Sequence, residues 1–142
     1  MKYEVKSINF IFFICVYCFS LSLNAQHYIT QVFNTENSAL TNNTVRALAV
    51  DENGEKWIGT DNGLLKYDND SWTIFQAASS PIPDNQIRAI SVDSENNVWI
   101  GTFLAGIMRF DGENWTFFNT SNSDLPENQI TDIDFDANEN VW

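Results

Sequence analysis

Arg46 and Arg88 each sit one residue into a similar short run, "VRALAV" and "IRAISV". Two guanidiniums brought to one place suit carboxylate or sulfate groups, because each offers a rigid fork of N–H donors that matches two oxygens. The competing outcome is ion pairing with acidic neighbours, which abound here. A third run, "ITDIDF", places Asp132 and Asp134 where the first two carry small residues, Ala47 and Ala49 or Ala89 and Ser91. Carboxylates that break a local pattern often mark a site. These two could hold a cation, accept sugar hydroxyls, or answer the arginines in a structural charge pairing. Phe103 and Leu104 stand where the first unit reads Asp61-Asn62. An apolar loop there could stack on a sugar ring or pack under a neighbouring loop.

Other chemistry finds little material. His27 is the single histidine, and both cysteines, Cys15 and Cys18, lie in an apolar run near the N-terminus. There is no Ser-His-Asp constellation, phosphate-cradling glycine loop or His/Cys metal cluster. The acidic turns "DENGE" and "DNDS" lack the ligand spacing and terminal glutamate of an EF-hand. No catalytic residue, metal or cofactor is expected.

The chain of 142 residues is acidic, Lys+Arg 7 against Asp+Glu 19, for a net charge of −12. That balance opposes binding to nucleic acid or to an anionic membrane, both of which need a basic face. Aromatic residues make up 14%, more than a disordered acidic tail carries. Residues 1–25 differ from the rest: two lysines in "MKYEVK", the apolar "INFIFFICVYCFSLSL", then "NAQ" with Ala25 before the expected cut. This is the order of a secretory signal peptide, and it predicts export to the periplasm, the cell surface or beyond. Cleavage removes both cysteines, so the mature chain would form no disulfide and no thiolate site.

The remainder repeats. Trp57, Trp99 and Trp142 are 42 and 43 residues apart, as are Asn43, Asn85 and Asn128, and Asp51, Asp93 and Asp136. The extra residue lies where "GTDNGLLKYD" becomes "GTFLAGIMRFD". Each unit reads as four short strands between Asp, Asn and Gly turns, for example "QIRAISVD", "VWIGT", "GIMRFD" and "WTFFNT". Four strands in about 40–45 residues is the spacing of a propeller blade. The inner strands are apolar or small on both faces, which suits a blade sandwiched between neighbours, with Trp57 and Trp99 between blades. The fold class expected is all-β, a β-propeller of four-stranded blades present as an incomplete fragment. Its divisions are an outer strand and loop at 26–43, blades at 44–85 and 86–128, and the start of a third at 129–142. Such a piece exposes apolar faces and strand edges, and is not expected to be a stable monomer.

"NNTVRALAVDENGEKWIGTDNGLLKYD" and "LPENQITDIDFDANENVW" resemble the two-component regulator propeller repeat, a family of exported bacterial β-propellers. Departures are Thr41 in place of the turn proline, the glycine-free turns "SENN" and "ANEN", and the insertion in "FLAG". The resemblance implies an extracytoplasmic sensor module, set in many relatives ahead of a membrane helix and a histidine kinase, recognising glycans or similar ligands. A secreted or surface scaffold without signalling is the alternative, and a lyase or glycosidase using Asp132 and Asp134 a third. Any kinase activity would belong to another part of a longer chain. Partners expected are a glycan or other small ligand, further blades of the same protein, and a possible second copy, but no nucleic acid.

Overall fold

The computed structural model describes residues 32–69 and 71–142, among which there is no helix. The leader at 1–25, the two cysteines, His27 and most of the strand expected from Tyr28 lie outside the described residues. The chain divides into two units, Met1–Phe33 and Asn34–Trp142, and the second holds every described strand.

Eight strands form two sheets. Val45–Val50 (β1), Lys56–Thr60 (β2), Gly63–Tyr67 (β3) and Trp72–Phe75 (β4) make an antiparallel meander in the order β1-β2-β3-β4. Ile87–Val92 (β5), Val98–Thr102 (β6), Ile107–Phe110 (β7) and Trp115–Phe118 (β8) repeat it. The registers agree position by position: Ala47 faces Gly59 and Ala49 faces Trp57, as Ala89 faces Gly101 and Ser91 faces Trp99. These are the two four-stranded blades that the repeat predicts.

Each residue of the recurring Trp-Ile-Gly-Thr has a separate task. The Trp57 indole N–H donates to Asp51 Oδ2 at 2.9 Å, and Asp51 Oδ1 accepts the N–H groups of Asn53 and Glu55. One carboxylate therefore closes the β1–β2 turn and fixes the tryptophan. Asp93 and Trp99 repeat the arrangement at 2.7 Å, and Asp136 with Trp142 at 3.3 Å. Ile58 and Ile100 are buried. Gly59 and Gly101 let the next repeat approach: a Cβ on Gly59 would lie 2.5 Å from Ile87 Cγ2, and one on Gly101 closer still to Ile130. Thr60 and Thr102, fully buried, each donate to the carbonyl of the glycine beyond the next turn, Gly63 and Gly106, at 2.9 Å.

The asparagines of the repeat close the loops between units. Asn43, Asn85 and Asn128 accept through Oδ1 the N–H groups of Thr35, Ala77 and Thr120, eight residues upstream in each case. Loop 34–43 thus repeats the connections after β4 and β8.

The main core lies between the blades, with Trp57, Leu64, Ile82 and Ile87 packed together with Val98, Ile100 and Met108. Trp57 stacks on Phe75 with ring centroids 6.0 Å apart and meets Phe110 of the second blade at 5.7 Å. Trp115 reaches back to Phe75 at 5.4 Å, so Trp57 and Trp115 bridge the two blades.

Among residues 129–142, where the third unit begins, there is no full strand. Ile130 and Ile133 are buried against the second blade, and Ile130 donates to the Thr102 carbonyl. Further on, the segment holds one bridge, Phe135 to Val141, and a reciprocal bond pair between Asp134 and Trp142. A ladder needs several consecutive partners to become a strand, and here there are too few. The inner strand of the first blade is open on one face, the exposure expected of an incomplete ring. Val45, Leu48 and Val50 are 47%, 62% and 56% exposed, whereas Ile87, the counterpart of Val45, is buried against Gly59.

Candidate functional site

The loops entering β1 and β5 and the turns after β2 and β6 lie at the same end of the blades, and there four of the six sequence candidates meet. Both inner strands shift register at their second residue, between Val45 and Ala47 and between Ile87 and Ala89. Arg46 and Arg88 are the unpaired residues of these bulges. A bulge releases a side chain from the strict alternation of the strand and re-aims it. Spacing alone reveals the shared position of the arginines but not the bulge.

Both guanidiniums converge on Asp61 in the turn after β2. Arg46 donates from Nη2 to Oδ2 at 2.9 Å and from Nε to Oδ1 at 3.1 Å, a two-pronged pair. Arg88 reaches the same carboxylate from the neighbouring blade, Nη1 to Oδ1 at 3.3 Å. The Arg46 hydrogen bond is the main cause holding the Asp61 carboxyl below the usual carboxylate range, with the charge of Arg88 adding to it. Sequence reasoning does not single out Asp61. A signal for it exists, since it is the residue that Phe103 replaces in the next repeat.

Phe103 lies beneath Arg88, with the guanidinium carbon 4.9 Å from the ring centroid. Arg88 Nη2 also donates to Gln86 Oε1 at 2.8 Å, while its Nε is buried with no acceptor among the described residues. Leu104 is exposed beside it, and its N–H donates to Asp84 Oδ2 at 2.8 Å. Arg46, Arg88, Phe103 and Leu104 are therefore neighbours around Asp61 and Asp84.

Asp132 and Asp134 do not join this group through any ion pair among the described residues. Each is exposed and accepts the N–H of the following residue, Ile133 at 3.0 Å and Phe135 at 2.8 Å. At the opposite end of the blades, Lys66 pairs with Glu55 at 2.8 Å and lies over Trp57. Arg109 takes the same place over Trp99, where the repeat has Asn97 in place of a carboxylate, and its Nε is buried with no acceptor among the described residues. It borders a cavity of about 210 Å³ with Asp93, Glu95, Phe135 and Glu139. A larger apolar groove of about 710 Å³ runs along Trp99, Ile107, Phe118, Leu125 and Trp142.

Comparison with known proteins agrees with this architecture. The family model for the two component regulator propeller matches residues 39–62 and 81–103, in each case the connecting loop, the inner strand and the Trp-Ile-Gly-Thr strand. No curated protein matches the chain. Among solved structures, it is similar to the extracellular domain of a protein assigned as a hybrid two component system from B. thetaiotaomicron. That likeness has a TM-score of 0.70 and 24% identity, over 79% of this chain and 17% of the other. It is also similar to PorZ, a surface component of the type-IX secretion system of Porphyromonas gingivalis, with a TM-score of 0.56 and 22% identity over 77% of this chain and 17% of that one. A third likeness is to virginiamycin B lyase from Staphylococcus aureus, with a TM-score of 0.53 and 18% identity over 70% and 33% of the two chains. The chain spans about a sixth of the length of the first two, and at these identities the likeness concerns the fold. One family match is seated on the inner half of each blade, so at residues 39–62 and 81–103 the chain is similar to the two component regulator propeller repeat.

Proposed function

We propose that this chain belongs to an exported, ligand-binding propeller, the extracytoplasmic sensing part of a two-component signalling protein that recognises glycans or similar ligands. The observation that carries the reading is the convergence of Arg46, Arg88, Phe103 and Leu104 at one end of two adjacent blades. Polar anchors beside an aromatic and an aliphatic side chain are what a sugar needs, hydrogen bonds for its hydroxyls and an apolar surface for its C–H face. The family match and the likeness to extracellular domains of two-component systems support the signalling context. The leader-like sequence of residues 1–25 supports export. A ligand would signal only through a difference in its affinity for two arrangements of the attached protein.

The test is titration of the full chain with a panel of neutral and acidic oligosaccharides, followed by calorimetry. Saturable binding of at least one, weakened by Phe103→Ala, is the expected result. Absence of binding across the panel at millimolar sugar would sink the reading. A secreted scaffold is the second reading, favoured by the likeness to the surface component of a secretion system. It predicts that the gene encodes no kinase core. Hydrolysis or elimination lost on changing Asp132 or Asp134 would favour the enzymatic reading instead.

A further inference from the structure

We propose that Arg46 and Arg88 receive a single anionic group of the ligand, a carboxylate or sulfate ester on a saccharide, and that Asp61 is the resident counter-ion which that group replaces. This deepens the glycan-binding reading and rests on it.

Three features of the cluster carry the proposal. The first is pairing: two guanidiniums share one carboxylate, so among the described residues Arg88 has no ion-pair partner of its own. Asp84, the other carboxylate nearby, accepts the N–H groups of Gln86 and Leu104 rather than either arginine. The second is how the repeat has changed. Arg46 pairs within its own blade with Asp61, but the equivalent of Asp61 in the next blade is Phe103. Arg88 has thus lost the partner its position would have had. It leans on the ring that replaced it and borrows the carboxylate of its neighbour. The third is access and rigidity. The Arg46 and Arg88 side chains are 44% and 25% exposed and Asp61 27%. Both arginines sit on bulges in paired strands, and Arg88 is further fixed by Phe103 and Gln86. A structural ion pair needs one cation for each anion. A second cation, held in place and left half-satisfied, suits an anion that comes and goes.

The replacement model makes an unusual claim about Asp61: removing its charge should strengthen binding. Asp61→Asn keeps an acceptor for Arg46 and makes the cluster one unit charge more positive. It should tighten binding of a uronic acid disaccharide about three- to tenfold at low salt, as expected for one unit charge removed a few ångströms away in a wet site. Phe103→Asp restores the residue type that the first blade carries at this position, and it should abolish the preference for the acid. Arg88→Gln should weaken binding about tenfold or more.

The experiment titrates the full chain and these variants with the uronic acid disaccharide, its carboxyl-reduced neutral counterpart and inorganic sulfate. Calorimetry supplies affinities, and the arginine Nε–H resonances report where the anion sits. Thermal melts confirm that each variant is folded, with Phe103→Asp available if Asp61→Asn is not. Support would be binding of the acid over the neutral sugar, tightening by Asp61→Asn, and shifts at Arg46 and Arg88. Equal binding of acid and neutral sugar would overturn the proposal while leaving a glycan-binding module in place. So would weakening by Asp61→Asn comparable to that of Arg88→Gln. Sulfate binding at Arg88 with no sugar bound would show an anion site on a module that does not read glycans. That result overturns the saccharide assignment together with the reading on which it rests.

Discussion

At the scale of single residues, the spacing between blades depends on Gly59. A Cβ there would meet Ile87 Cγ2 at 2.5 Å and Ile90 Cδ1 at 3.3 Å, and both belong to the inner strand of the next blade. Gly59→Ala should therefore destabilise the chain by about 1–3 kcal/mol, the usual cost of overpacking a close contact. The check is a double-mutant cycle by urea unfolding with Ile87→Ala, which removes the clashing methyl. The two changes should cost less together than their sum, because they share one contact. Strict additivity would place the role of the glycine elsewhere. The sequence shows that a glycine recurs between Ile and Thr, but not what touches it, because the touching atom belongs to a residue 28 positions later. The arginines are legible in the same incomplete way. Their shared position is plain from the period, whereas the bulges and the common carboxylate arise from pairing between strands and between blades.

At the scale of the element, the hairpins owe their shape to carboxylates that look like ordinary turn formers. Asp93 Oδ1 accepts the N–H groups of Glu95 and Asn97, and Oδ2 accepts the Trp99 indole and the Asn97 amide. Partial burial pushes this carboxyl up, but the bonds from Trp99 and Asn97 outweigh it and hold it below its ordinary value. Asp136 has the same set of donors, with the Asn140 side chain foremost, and is lowered to about 2. A carboxyl whose value is depressed on folding gives stability that is complete above its unfolded value, about 4. That stability is lost as pH falls through the folded value, so the Asp136 turn weakens between about pH 4 and pH 2, and the Asp93 turn as pH falls below about 4. Asp93→Asn should lower stability at pH 7 by about 1–2 kcal/mol, from loss of charge-assisted bonds to a partly buried indole. It should also flatten the pH dependence of the melting temperature below about pH 4. Thermal melts from pH 7 to pH 2 test both, and an unchanged slope in the variant would remove Asp93 as the cause. Loop closure offers a parallel test. Asn128→Ala leaves the Thr120 N–H without its acceptor and should cost about 1 kcal/mol in the same assay. The existence and limits of the eight strands are readable because alternation and turn chemistry are local. The third unit is less legible, because an inner strand is defined by the ladder beside it and only the Phe135–Val141 bridge is present there.

At the scale of the whole molecule, the two blades differ in what covers their inner strands. Ile87 fits against Gly59 and is fully buried, and Ile130 fits against Gly101 in the same way. The first blade presents Val45, Leu48 and Val50 along its inner strand, and these remain exposed. A contiguous apolar row on a sheet face favours association, since burying a leucine is worth about 1.5–3 kcal/mol. The described chain should therefore self-associate in a concentration-dependent manner. Leu48→Lys should weaken that association about tenfold, because an ammonium on the face has to be desolvated or displaced from it. The substitution should leave the fold intact, as the side chain is 62% exposed. Sedimentation velocity over a hundredfold range of concentration would show the effect directly. If wild type and variant sediment alike and both are associated, the contact lies on another surface, and the apolar groove beside Trp99 and Trp142 becomes the next place to substitute. If both remain monomeric, three exposed aliphatic side chains are too few to drive association. If the variant alone is monomeric, the face of β1 is the surface through which this chain meets its neighbours, and the cover that Gly59 and its strand give to Ile87 describes the kind of contact it makes there.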